Sequence, residues 1–320
     1  MFTVLMLGIY AAYKQFSGLD PLKLDPLAVF NNVIAARTPK QFTDALSSLK
    51  IDSKILGKSI QLSNPSSQPL PSQPPFFRFL LIADSHSDNY NLQKAINQAK
   101  QDYPDIKFVI GLGDYSKVGT TLQLQEAKEV LDTSSLRYFL VPGDHDLWDC
   151  RDKNLPPTNC FKQVFGPNYQ TFTFENFKFL MLDNSDDYLG FDDTQLQWIE
   201  SELEKAKEES IKGIFVFLHE PLFHPSSDHV MGKVEKNLPA GRQGLKTQAR
   251  NLEFVFKDAG VKKVFSGDTH YSSEYKEPVT GLDMVTIGAV TIERNPQAPR
   301  FAVVSVSEDG LTKVEDIEIK

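Results

Sequence analysis

Phe79-Leu80-Leu81-Ile82-Ala83-Asp84-Ser85-His86 sets five apolar residues directly before an Asp-x-His triplet. About thirty residues on, Phe108-Val109-Ile110-Gly111-Leu112 runs into Gly113-Asp114, and after about thirty more Tyr138-Phe139-Leu140-Val141 leads to Gly143-Asp144-His145-Asp146. Short apolar runs separated by helix-length polar stretches read as buried strands of an α/β sheet. Ligands of such sheets sit at the carboxyl ends of the strands, where successive loops aim at one point. All three loops here deliver Asp or His, the residue types that hold hard or borderline divalent metals.

The pattern continues downstream. Ile214-Phe215-Val216-Phe217-Leu218 leads into His219-Glu220-Pro221, and Val261 to Phe265 leads into Ser266-Gly267-Asp268-Thr269-His270. Five strand ends thus offer Asp84, His86, Asp114, Asp144, His219, Asp268 and His270. A lone Asp after a strand is more often a turn or helix cap than a ligand, and a lone His is more often an ordinary surface or core residue. But four of only six histidines, His86, His145, His219 and His270, fall in these motifs. Their order resembles the calcineurin-like metallophosphoesterase family, whose pattern is D-x-H, G-D, G-N-H-D/E, a lone H before a proline-rich turn, and G-H-x-H. The resemblance runs from about Phe77 to about Ile287.

This resemblance implies an α/β fold, a four-layer αββα sandwich of two mixed β-sheets flanked by helices. It implies a dimetal-dependent hydrolase of a small phosphate ester, diester or monoester. Carried over residue by residue, the first metal takes Asp84, His86, Asp114 and His270. The second takes Asp114 as bridge, Asp144, His219 and Asp268. A hydroxide shared by the metals attacks phosphorus in line, the metals stabilise the charge on the phosphoryl oxygens, and His145 protonates the leaving group with Asp146 orienting its ring. Two positions depart from the family: Asp144 stands where Asn is usual and Asp268 where His is usual. The extra carboxylates favour Mn²⁺, Mg²⁺ or iron over Zn²⁺. Lys117 replaces the tyrosine that ligates iron in purple acid phosphatases, which argues against a purple ferric centre. The alternative reading is a non-catalytic metal-binding or scaffold protein on the same fold.

A net charge of −8 argues against nucleic acid as a general partner. It does not forbid a small phosphate, since metals supply positive charge locally. Residues 1–13, MFTVLMLGIYAAY, carry no charge but are shorter than the roughly 20 apolar residues of an ordinary membrane span. Over residues 1–18 a truncated signal anchor, an unusual signal peptide and a buried helix compete, so membrane association through residues 1–13 is one expectation. Residues 19–63 carry two short helical patterns opened by Asp25-Pro26 and Thr38-Pro39. Residues 64–75 form a Pro/Ser-rich linker, and residues 76–320 form the metallophosphoesterase domain.

Cys150 and Cys160, the only cysteines, flank a turn-rich loop just past His145. Either they close it as a disulfide, implying an oxidising compartment, or they are two unpaired thiols in a cytosolic loop. The anchor and the disulfide together point to an extracytoplasmic location, membrane-anchored or secreted; the alternative is cytoplasmic.

Gln170 to Phe174 and Phe177 to Leu182 read as a hairpin around Glu175-Asn176, and Asp193 to Glu209 as an amphipathic helix. Met284 to Ile287, Phe301 to Val306 and Thr312 to Ile319 read as strands. His224 and His229, in the loop after a ligand motif, are ordinary loop residues or substrate contacts. Residues 232–250 read as a loop carrying Lys233, Lys236, Arg242, Lys246 and Arg250, more simply a solvated basic loop than a reach toward substrate.

Overall fold

The computed structural model describes residues 75–234 and 244–320. The segments expected at residues 1–18 and 19–63, all but the end of the linker, and Lys236 and Arg242 lie outside the described residues.

Eleven strands form two sheets among the described residues. The first contains β1 (Phe77–Ile82), β2 (Ile106–Gly111), β3 (Arg137–Leu140), β10 (Arg300–Val306) and β11 (Thr312–Glu318), in the order β11-β10-β1-β2-β3. The second contains β4 (Gln170–Phe174), β5 (Phe177–Met181), β6 (Gly213–Phe217), β7 (Val261–Ser266), β8 (Ser273–Lys276) and β9 (Asp283–Thr286), in the order β4-β5-β6-β7-β9-β8. Strands β1, β2 and β3 run parallel, as do β5, β6, β7 and β9, while antiparallel strands lie at the margins of both sheets.

Strand alternation explains the layers. On β1, Phe77, Phe79 and Leu81 face the partner sheet, while Leu80 and Ile82 join a separate cluster with helix residues Leu92, Ile96, Leu124 and Leu131. On β5, Phe177, Phe179 and Met181 point inward, and Leu180 packs with Ile199, Leu203, Leu252 and Phe256 of the opposite helical layer. The inter-sheet core is a phenylalanine lattice: Phe79 stacks on Phe108 at 5.5 Å and meets Phe179, Phe217 and Phe265 edge-on. The fold is therefore the four-layer sandwich of two mixed sheets flanked by helices.

The helices are α1 (Asn89–Asp102), α2 (Thr121–Thr133), α3 (Trp148–Asp152), α4 (Asn159–Phe165), α5 (Asp193–Glu208) and α6 (Leu245–Asp258). Asp88, Thr120 and Asp192 cap α1, α2 and α5 by accepting backbone N–H bonds. No helix among the described residues is long and apolar enough to cross a membrane. A Cys150–Cys160 disulfide joins α3 to α4, with Cα atoms 5.9 Å apart.

Candidate metal centre

The carboxyl ends of β1, β2, β6 and β7, with the turn after β3, bring the motif residues to one place. The backbone there is strained: Asp84, His86, Asp114, Asp268 and His270 all have positive φ, between 43° and 61°. L-residues adopt this region rarely, and its concentration at five strand-end side chains marks a functional constraint. Gly143 is required for a steric reason, because a Cβ there would collide with the carboxylate of Asp114.

Asp84, His86, Asp114 and His270 offer ligand atoms within 4.8 Å of one another, and so do Asp114, Asp144 and His219. All six residues are buried, and Asp114 is common to both groups. Its Oδ2 stands 3.3 Å from His86 Nε2, and its Oδ1 stands 3.6 Å from His219 Nε2. A carboxylate so placed could serve two ions at once.

The residues of the first group fit a cation. His86 Nε2 and His270 Nε2 face each other at 3.0 Å, and the buried Asp84 Oδ2 has no hydrogen-bond partner. Such an oxygen is costly unless something positive completes it. Burial, then the neighbouring His145 and His270, pushes His86 down to about 2, so its imidazole is in the neutral, metal-binding form. Burial pushes the carboxyls of Asp84 and Asp114 up. In the second group His219 donates Nδ1–H to the Leu112 carbonyl at 2.7 Å. This fixes the tautomer and leaves Nε2, 3.3 Å from Asp144 Oδ1, as the ring atom that could hold an ion. Asn184 Oδ1 accepts the backbone N–H groups of both His219 and Glu220, which sets the direction of that turn.

Two expected contacts are absent from the geometry. Asp146 does not touch the His145 ring. Its carboxylate accepts from the backbone N–H groups of Gly143, Tyr115 and Ser116 and from the Ser116 hydroxyl, tying the β2 and β3 turns together. The His145 ring is instead oriented by the Lys117 carbonyl, 2.7 Å from Nδ1, and by Trp148, whose ring stacks on it at 3.8 Å. The second is Asp268, which is not grouped with Asp114, Asp144 and His219. Lys233 Nζ lies 3.2 Å from each of its oxygens, and His229 Nδ1 is 3.7 Å from Oδ1. Although burial opposes it, the charge of Lys233 with the His229 contact holds the Asp268 carboxyl well below the usual range.

The solvated-loop reading of residues 232–250 does not hold for Lys233, and the part of the stretch from Leu245 onward is helix α6 rather than loop. Lys233 is largely buried, Arg250 lies in α6 and pairs with Glu253 and Glu277 at 2.7 and 2.6 Å, and Lys246 also lies in α6. Of the two loop histidines, His224 is buried away from the ligands. It accepts from the Ser226 and Ser227 N–H groups through Nδ1 and meets Ser273 Oγ through Nε2 at 2.8 Å. Sequence reasoning also missed Arg294, whose guanidinium nitrogen lies 3.3 Å from His145 Nε2. No strand-end motif marks Arg294 or Lys233. Their only signal was positive charge.

Residues 77–272 match the family model for calcineurin-like phosphoesterases. The chain belongs to that family. It is a hydrolase with a buried Asp/His cluster suited to two metal ions. Human serine/threonine-protein phosphatase CPPED1 is 27% identical over 230 residues, covering 68% of this chain and 70% of that protein. A probable glycerophosphodiester phosphodiesterase, GpdQ of Arcobacter nitrofigilis, is 27% identical over 167 residues, covering 51% of this phosphoesterase and 57% of the relative. Among solved structures, a dimetal phosphatase from Danio rerio shares the fold with a TM-score of 0.57 at 19% identity, covering 77% of this chain and 99% of that one.

Proposed function

We propose that this phosphoesterase hydrolyses phosphate monoesters, with Asp84, His86, Asp114 and His270 holding one divalent ion and Asp114, Asp144 and His219 the other. The observation that carries this reading is Asp114, whose two oxygens face two separate sets of buried ligands. When bound, the ions supply an activated water and neutralise charge on the phosphoryl oxygens. Mn²⁺, Mg²⁺ or iron suit the oxygen-rich donor set better than Zn²⁺.

His145 supplies the proton. With Nδ1–H held on the Lys117 carbonyl, Nε2 is the ring atom left to face the leaving group, and donation from it requires the doubly protonated imidazole. His145 lies beside the first ligand set, its ring centroid 4.5 Å from that of His86. A monoester is favoured by Arg294, which forms no ion pair among the described residues and presents its guanidinium at His145 Nε2. The Lys117–Glu293 ion pair at 2.8 Å and the two carbonyl contacts of Asn295 hold that segment. A guanidinium there matches the second negative oxygen that a monoester has and a diester lacks. The phosphatase name of the CPPED1 relative supports this reading, and the diesterase name of GpdQ keeps the other in the test.

The test is a substrate panel with Mn²⁺: p-nitrophenyl phosphate and phosphoserine peptides against bis(p-nitrophenyl) phosphate. The reading expects a higher kcat/KM on monoesters and a selective loss of that preference in Arg294→Met. A preference for the diester that Arg294→Met leaves untouched would refute the monoester assignment. An absence of turnover on every ester would favour the scaffold alternative. Location outside the cytoplasm is part of the same proposal, supported by the disulfide beside the site.

A further inference from the structure

We propose that Lys233 is a built-in cation at the second ion position, which withholds Asp268 from that ion and makes the two ions bind with unequal affinity. The inference rests on the dimetal reading above and concerns residues that reading leaves out.

The arrangement begins with a substitution. Imidazole at position 268 would bring a neutral nitrogen, whereas Asp brings a negative charge close enough to act on Asp144. A buried carboxylate needs a partner, and an ammonium supplies one. Lys233 Nζ is 3.2 Å from both Asp268 oxygens, so neither oxygen is left uncontacted. The same nitrogen is 3.2 Å from Glu220 Oε1 and 3.2 Å from Asp187 Oδ1. Three carboxyl groups from the loops after β5, β6 and β7 therefore converge on one ammonium. Only 18% of the Lys233 side chain is exposed, so the contacts are poorly screened by solvent.

Lys233 is also held by its backbone. Its N–H bonds to the Val230 carbonyl at 2.9 Å, and the neighbouring Met231, buried, donates to the Pro221 carbonyl at 2.8 Å. Pro221 follows directly on His219 and Glu220, so the lysine is tied to the loop that supplies a ligand.

The consequence is a difference in ligand number. The first position has four protein groups and the second has three, because Asp268 is engaged elsewhere. The lysine charge also acts on Asp144 of the second group, and like charges repel. The first ion should bind tightly and the second should be exchangeable.

The experiment is a Mn²⁺ titration of the full chain by isothermal calorimetry, with bound metal counted by mass spectrometry, for wild type, Lys233→Met, Lys233→Arg and Asp268→Asn. Wild type should show one tight and one weaker ion. Lys233→Met should tighten the weaker constant at least tenfold and leave the first unchanged. Lys233→Arg, which keeps the charge, should stay near wild type. Asp268→Asn should leave the weaker constant within about threefold, since Asp268 is not spent on the ion. Two equally tight ions in wild type, an unchanged weak constant in Lys233→Met, or a tenfold loss in Asp268→Asn would overturn the assignment while leaving the dimetal reading intact. Failure of wild type to bind any ion would overturn both.

Discussion

The two halves of the candidate metal centre are built from the same kinds of residue yet are electrostatically different. Around the first position, Asp84, His86, Asp114 and His270 meet with no lysine or arginine among the described residues ion-paired to them, and a buried oxygen of Asp84 is left without a partner. Around the second, Asp144 and His219 complete a group of three with Asp114, while the carboxylate nearest in sequence logic, Asp268, is bound by Lys233. One half leaves a buried carboxylate oxygen for a cation to complete. The other carries its own counter-charge. Ligand type at strand ends thus does not decide ligand function, because a residue from a distant loop can claim the side chain first.

The largest effect should come from the one residue the halves share. Asp114→Asn should abolish turnover and deplete both ions, measured as metal content after gel filtration. Retention of two ions and of activity would break the comparison, since the halves would then not be joined through that carboxylate.

His145 belongs to neither half. His145→Ala should lower kcat by about 10²–10⁴-fold with metal content unchanged. The loss should shrink for esters with good leaving groups such as nitrophenolate, and an equal loss across leaving groups would argue against proton donation.

The pH at which metal leaves sharpens the contrast. Asp84 and Asp114 have raised pKa values caused first by burial, so protons compete for them above the ordinary carboxylate range near about 4. Affinity should fall as pH falls and begin to fall above that range. His86, pushed down to about 2, stays neutral throughout and should not contribute. Equilibrium dialysis with Mn²⁺ on the way down from about pH 7 would show it. A release midpoint near about 6.5, the ordinary histidine value, would point instead to imidazole protonation.

The smallest effect should come from making the halves alike. Asp268→His removes the carboxylate that Lys233 binds and offers a nitrogen donor to the second position. Zn²⁺ should gain on Mn²⁺ at that position only, read by competition titration, and an unchanged ratio would mean position 268 does not face the ion.

The sandwich was legible because its signals are local. Phe79 to Ala83, Phe108 to Leu112 and the Gln170–Leu182 hairpin appear as strands within a residue or two of where they were read, since an apolar run between turn residues has few alternatives. Strand β8 was missed: Ser273-Glu274-Tyr275-Lys276 is short, marginal and polar, and it exists through pairing with β9. The residues of the two clusters were legible because five strand ends repeat one kind of chemistry. Roles that depend on tertiary contact were not. Asp146 looked like a partner of its sequence neighbour His145, but its carboxylate reaches back about thirty residues to Tyr115 and Ser116. Lys233 lay in a stretch whose charge suggested solvent, and only the convergence of the β5, β6 and β7 loops shows why it is buried. Arg294 follows the last motif by about two dozen residues and reaches the site through the return of the chain toward β10.

The most direct test is crystallographic. A crystal of the full chain grown with Mn²⁺ and measured at an energy where manganese scatters anomalously should show two peaks about 3.5–4 Å apart, one on each side of the Asp114 carboxylate. The peak among Asp84, His86 and His270 should be the stronger, and the peak beside Asp144 and His219 should be the one that fades when the metal concentration is lowered. A single peak coordinated by Asp268, or two peaks that do not share Asp114, would contradict the account.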